Sequence, residues 1–326
     1  MRPPPSAPAA IAALALGGLL ACSPDSISSP AREQDPLMNS GSGGTKVLTV
    51  DDDLADCPRA DFTTVQAAVA AAQSGTTIQV CAGTYHEQVT ITKDELRLIA
   101  VGMPGEVVLD GLDLHDMFAG FLLDDAHGSL IQGFVVQNYH EANILLANGS
   151  SRNTIRKNVA RSASHHDGIQ LSNAPGNVIE LNQSSDNFSP GGTACGINVA
   201  GPGSVGNIVR HNETFGNDFG VQIAGGAADN VVFHNESHDN RKFGIRTIGG
   251  PTGTVIENNR AVDNAGPGIA LLLGSSATSV VRNKAFDNDP DLFWDGTGAG
   301  NTFDNNHCRT SVPAGLCEHT EGGSNE

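Results

Sequence analysis

Positive charge and aromatic bulk are both scarce in this chain. Eighteen Lys and Arg stand against 36 Asp and Glu, for a formal net charge of −18, and aromatic residues make up 5% of the 326 positions. No basic stripe exists to neutralise phosphates, which excludes nucleic acid as a partner and disfavours an unaided polyanion. Methionine is limited to four residues with no cluster among them, which gives little support to a soft thioether metal site. No Cys-x-x-Cys spacing suggests zinc. Leu does not recur at the fixed positions of a leucine-rich horseshoe. What is abundant is Gly, 39 residues, together with Asn, a composition suited to many tight turns in one elongated domain.

The Asn residues are periodic. Asn153-Thr-Ile-Arg-Lys-Asn158 is followed by similar segments closing at Asn182, Asn212, Asn235, Asn259, Asn283 and Asn306, at intervals of 24, 30, 23, 24, 24 and 23. A period in this range signals stacked supersecondary units. A second Asn follows five residues later at Asn187, Asn217, Asn240, Asn264 and Asn288. Then come Gly and an alternating run, as in Gly168-Ile-Gln-Leu, Gly220-Val-Gln-Ile and Gly244-Ile-Arg-Thr. Alternation of period two marks strands with one buried face, and no helix fits between them. The expected fold is all-β: a right-handed parallel β-helix over residues 46–310, its Asn residues stacked in columns whose amides satisfy backbone groups at the bends. Inward positions should include Ile155, Ile169, Leu171, Ile179, Ile197, Val209, Val221, Ile223, Val232, Ile245, Ile256 and Ile269.

The remainder divides into short regions. Residues 1–21 carry Arg2 and an apolar run from Ala9 to Ala21, too short to span a bilayer, and read as an export signal. Leu19-Leu-Ala-Cys22 resembles the lipobox of bacterial lipoproteins, which implies that Cys22 is lipidated and becomes the first mature residue. Ser23 after it implies, by the same resemblance, the outer membrane of a Gram-negative cell. Residues 22–45 form a Ser/Pro/Gly linker, and residues 311–326 a polar tail. Phe62, Val65, Ala68, Val69 and Ala72 lie at helical spacing, which predicts a short amphipathic helix over 62–73 that plugs the open solenoid end. This helix, the strand Ile78-Gln-Val80 and Gly83-Thr-Tyr-His-Glu-Gln-Val-Thr-Ile91 resemble the entry to the pectin-lyase-like superfamily. That resemblance implies the fold and leaves the reaction open among lyases, hydrolases, esterases, epimerases and proteins without activity. The repeat also resembles periplasmic copper-maturation proteins. Five cysteines besides Cys22 fit an oxidising compartment: Cys57 with Cys81 and Cys308 with Cys317 are candidate pairs, and Cys195 is left as a buried small hydrophobe.

Residues at one place in successive coils are neighbours about 4.8 Å apart, so reactive columns can be sought by alignment. Tyr139-His140-Glu141 falls above His165-His166-Asp167, a set that supplies acid–base groups or metal ligands. Beside it runs an outward row, Gln170, Asn198, Gln222 and Arg246, whose amides and guanidinium suit sugar hydroxyls. An insertion from Ser189 to Cys195 overhangs the same region. Asp186, Asp239, Asp263 and Asp287 form an acidic column in which the last three are weak Ca²⁺ candidates, more readily read as a solvated edge. His211 and His234, followed by Asn258 and Arg282, form another. Gly-His-Gly with paired Asp, Asp-Pro-His-Glu and a pectate-lyase calcium triad are all missing. The expectation is an exported, monomeric lipoprotein of the cell envelope that needs no cofactor, with Ca²⁺ as the open option. Its β-helix binds a polysaccharide or glycan, or cleaves it as a lyase or glycoside hydrolase. The alternative is a non-enzymatic surface-binding or scaffold protein.

Overall fold

The computed structural model describes residues 46–112 and 118–318 of the protein. The export signal, Cys22 and the linker lie outside the described residues. Beyond one helix, the described elements are strands. They assemble into three parallel sheets of eleven, ten and nine strands, in which each strand pairs with its counterpart from the next coil. This is the right-handed parallel β-helix that the repeat implies. All twelve expected inward residues are fully buried, because in each short strand the period-two alternation puts one apolar side chain inside.

The Asn columns are buried ladders. Asn158 N–H and Nδ2 both donate to Asn182 Oδ1, at 3.0 and 3.2 Å, and Asn182 Nδ2 donates to the Ile155 carbonyl at 2.8 Å. The same triple contact recurs coil after coil through Asn212, Asn235, Asn259 and Asn283 to Asn306. A second ladder runs from Asn187 through Asn217, Asn240 and Asn264 to Asn288. Each amide thus satisfies backbone groups that a bend would otherwise leave orphaned.

The helix is Val65–Ala71, shorter than the spacing suggested. Phe62 bridges Val50 in extended backbone instead. Both helix ends are closed by the segment that follows. The Glu87 carboxylate accepts from Val65 and Gln66 N–H at 2.7 and 2.8 Å, and Lys93 Nζ donates to the Val69, Ala70 and Ala72 carbonyls. Cys57 pairs with Cys81 and Cys308 with Cys317, while Cys195 is free and buried. Past residue 310 the chain still adds a strand, Ser311–Val312, to the edge at Leu292–Trp294.

Candidate functional site

The third sheet has the longest strands, six residues in each of Ala119–Asp124, Ala142–Ala147, Asp167–Ser172, Cys195–Ala200, Phe219–Ala224 and Phe243–Ile248. Its outer face therefore carries wider rows than the other two sheets. One row runs Leu122, Leu145, Gln170, Asn198, Gln222, Arg246, each in register with the next. This face falls into two parts.

In the first part a shallow groove of about 310 Å³ opens over Leu122 and Leu145. Phe118, Ala147, Gln170 and Ser172 complete its floor and sides, and Asp124, Glu141 and Asn148 bring polar atoms to it. Gln170 Oε1 is enclosed without a hydrogen-bond partner. Of the residues singled out in the sequence, Glu141 and Gln170 reach this groove. His140 and His165 lie in the turn leading into it, their rings stacked at 3.9 Å between centroids and 19° from parallel. Phe118, Leu122, Asp124, Leu145 and Asn148 were not expected. The available signal was that Leu122 and Leu145 hold outward positions where the next four coils carry polar side chains.

In the second part the row closes on itself. Arg246 Nε donates to Gln222 Oε1 at 2.7 Å, Gln222 Nε2 to Asn198 Oδ1 at 3.0 Å, and Asn198 Nδ2 to Asp167 Oδ2 at 2.8 Å. The other Asp167 oxygen accepts from Cys195 N–H at 2.7 Å. A charged end and its counter-charge are thus joined through two amides. The Arg246 guanidinium also lies 3.4 Å above the Phe219 ring. The inserted loop is fastened over this part: Ala194 N–H donates to Asp218, and Lys242 Nζ to the Gly192 carbonyl. Asn198 and Gln222 are buried, so the amide row is internal wiring more than an open binding strip.

Two expected catalytic residues are sealed. Tyr139 is fully buried and its hydroxyl donates to the Glu87 carbonyl at 2.5 Å; burial pushes its pKa upward. Asp167 is 1% exposed. Neither meets a polymer in this conformation, because the coil above and the inserted loop cover them. Arg246 stands three strands from Gln170, about 14 Å along the axis, too far to neutralise charge on a substrate lying in the groove. Glu141 and Asp167 therefore do not form an open acid–base pair.

Burial also raises the Asp167 pKa, to about 6, against the opposing hydrogen bonds from Asn198 and Cys195. A folded-state pKa above the ordinary 3.8 means that the native state holds this proton more tightly than the unfolded chain. The resulting stabilisation is present below pH ~4 and is lost as pH rises through ~6, about 3 kcal/mol in all. Urea unfolding of wild type and Asp167→Asn across pH 4–7 should show this slope in the wild type and its loss in the variant. Equal slopes would contradict the assignment.

The acidic and histidine columns have a conformational cause. Asp186, Asp239, Asp263 and Asp287 have φ between 51° and 60°, and His211, His234, Asn258 and Arg282 between 53° and 56°. These are left-handed turn positions, favoured by Asp, Asn and His. Asp239 bonds His238, and Asp287 bonds Arg309. The three Ca²⁺ candidates Asp239, Asp263 and Asp287 do not gather their oxygens: among the described residues, the one convergent group of three metal-ligating side chains is Asp51, Asp52 and Asp53.

The family model described as periplasmic copper-binding protein (NosD) matches residues 90–315. The chain belongs to the NosD family. No curated protein matches this NosD-family chain in sequence. Among solved structures it is similar to pectate lyase Pel9A, with 14% identity over 85% of this chain and 83% of that one and a TM-score of 0.62. It is similar to DFA-IIIase from Arthrobacter chlorophenolicus A6, at 14% identity over 74% and 73% with a TM-score of 0.57. The A-module of the Azotobacter vinelandii mannuronan C-5 epimerase AlgE4 gives 16% over 74% and 82%, with a TM-score of 0.54. At these identities the likeness is one of fold.

The family's description implies copper, and among the described residues of this NosD-family chain the donor set does not fit it. Copper is held by converging imidazole, thiolate or thioether donors. Here the His140 and His165 rings are stacked in nearly parallel planes, and neither this pair nor the tilted pair His211 and His234 gathers a third His, Cys or carboxylate donor among the described residues. Cys195 is enclosed, and the convergent triad is made of carboxylates alone.

Proposed function

We propose that this protein is an extracytoplasmic glycan-binding β-helix that holds a neutral saccharide on the outer face of its long-strand sheet. The groove over Leu122 and Leu145 carries this reading, because it combines an apolar floor with carboxylates and amides at its edge. Sugar rings present apolar faces and hydroxyl rims, which such a floor and such acceptors complement. Asp124 and Glu141 favour hydroxyl donors and repel uronates, in keeping with the net charge of −18. Binding without turnover is favoured over cleavage because Tyr139 and Asp167 are sealed away from the groove.

An extracytoplasmic site is supported by the two disulfides and by the periplasmic description of the family. The lipobox extends the proposal to an envelope protein anchored through Cys22. Changing Cys22 to Ala should move the protein from the membrane fraction to the soluble or unprocessed fraction; unchanged membrane fractionation would remove the anchor from the account.

The functional test is a titration of the protein with neutral oligosaccharides, cello-, xylo- and manno-oligomers, beside oligogalacturonate and oligomannuronate, with product analysis on every mixture. The expected result is binding of a neutral oligomer with no new reducing ends and no unsaturated product. Turnover that Glu141→Gln abolishes would replace binding with hydrolysis. Absence of binding to every oligomer would reject the glycan reading.

A further inference from the structure

Where the first strand, Val47–Val50, ends, three aspartates follow in succession. One oxygen from each of Asp51, Asp52 and Asp53 lies within 4.8 Å of the other two. Among the described residues none of the three pairs with a Lys, Arg or His: the ion pairs lie elsewhere. Their partners are backbone amides. Asp51 Oδ2 accepts from Cys57 N–H at 2.5 Å, Asp52 Oδ2 from Thr84 N–H at 3.1 Å, and Asp53 Oδ1 from Ala55 N–H at 2.8 Å. Asp51 is fully buried, and its Oδ1 has no hydrogen-bond partner at all. A buried carboxylate oxygen without a partner is costly, and two further carboxylates beside it make the cost greater. Gly83 adds room: a β-carbon there would collide with the Asp52 carboxylate.

We propose that Asp51, Asp52 and Asp53 bind a hard divalent cation, calcium, which ties the end of the first strand to the opening of the solenoid. Oxygen-only donors with two exposed members suit Ca²⁺, which takes carboxylates, backbone carbonyls and water together in flexible geometry. The bound ion would supply the counter-charge that the cluster lacks and a partner for the orphaned Asp51 oxygen. It would act next to the Cys57–Cys81 disulfide, so ion and disulfide would secure the same corner of the first coil. This site is separate from the saccharide groove and stands or falls independently of it.

The test is thermal unfolding of the full chain with millimolar Ca²⁺ and with EDTA, alongside Tb³⁺ luminescence excited through tyrosine and displaced by Ca²⁺. Tyr85, two residues beyond Gly83, is the expected sensitiser. Calcium should raise Tm by on the order of 5 °C when it exceeds its Kd a hundredfold. Asp52 and Asp53 are exposed, so the D52N/D53N double variant should fold and lose both the shift and the terbium signal. Asp51→Asn should lose them too. Asp263→Asn, altered in an exposed turn, should keep them. No calcium-dependent shift in the wild type would overturn the proposal, as would a shift that persists in D52N/D53N or one lost in Asp263→Asn alone.

Discussion

Replacing Asn235 with Leu is expected to cost about 4 kcal/mol of folding stability, a large fraction of the ~5–15 kcal/mol that holds a typical domain. Asn235 sits mid-ladder at 2% exposure. Its Oδ1 accepts from Asn212 N–H and Nδ2, both at 3.0 Å. Its Nδ2 donates to the Val209 carbonyl at 2.8 Å and to Asn259 Oδ1 at 3.0 Å. Leu has similar volume and makes none of these bonds, so donors above and acceptors below are left buried and unpaired. Each such group costs about 1–3 kcal/mol, and the added apolar burial returns only part of it. Asn258→Lys is the control. Asn258 is exposed at a left-handed turn, and Lys157 already occupies the equivalent turn of an earlier coil. That change should cost less than about 1 kcal/mol. Urea unfolding of the two variants beside wild type measures the difference, and comparable costs would contradict the ladder's assigned role.

Leu122→Asp should reduce saccharide affinity by about 30-fold or more. The change removes the apolar floor of the groove and adds a third carboxylate beside Asp124 and Glu141. Losing one buried Leu-sized contact is worth about 2 kcal/mol, which is more than tenfold in a binding constant. The fold should survive, because Leu122 is only partly buried, packed on the small outer cluster of Ala119, Ala142 and Leu145, while its neighbours Phe121 and Leu123 keep the inner core. Circular dichroism checks the fold and titration calorimetry the affinity. Unchanged affinity in a folded variant would take the groove out of the account.

The scaffold was legible in the sequence because its determinants are local and repeated. Ile155 and Ile179, or Asn158 and Asn182, carry the same message in every coil, and stacking multiplies it. The site was only partly legible. His140 with His165 and Glu141 with His166 do stand in register, since coil length alone decides that. Whether a side chain faces water depends on what folds over it, and this is not repeated. Asp167 is enclosed by one insertion that occurs once in the chain, and Tyr139 turns inward to a carbonyl 52 residues away. The Asp and His columns resemble chemistry in a list of aligned residues, yet their backbone lies in the left-handed region. Gly216, at φ 66°, stands between Asp186 and Asp239 in the acidic column and gave a hint of this: a position that accepts Gly, Asp and Ser162 alike is chosen for its turn.

The most direct test of the glycan reading is where the ligand protects the protein. Hydrogen–deuterium exchange would be measured with and without the tightest-binding neutral oligomer. Protection is expected in Ala119–Asp124, Ala142–Ala147 and Asp167–Ser172, with the strands from Phe219 onward unchanged. Protection centred on Phe219–Ala224 and Phe243–Ile248, or spread evenly along the solenoid, would contradict it.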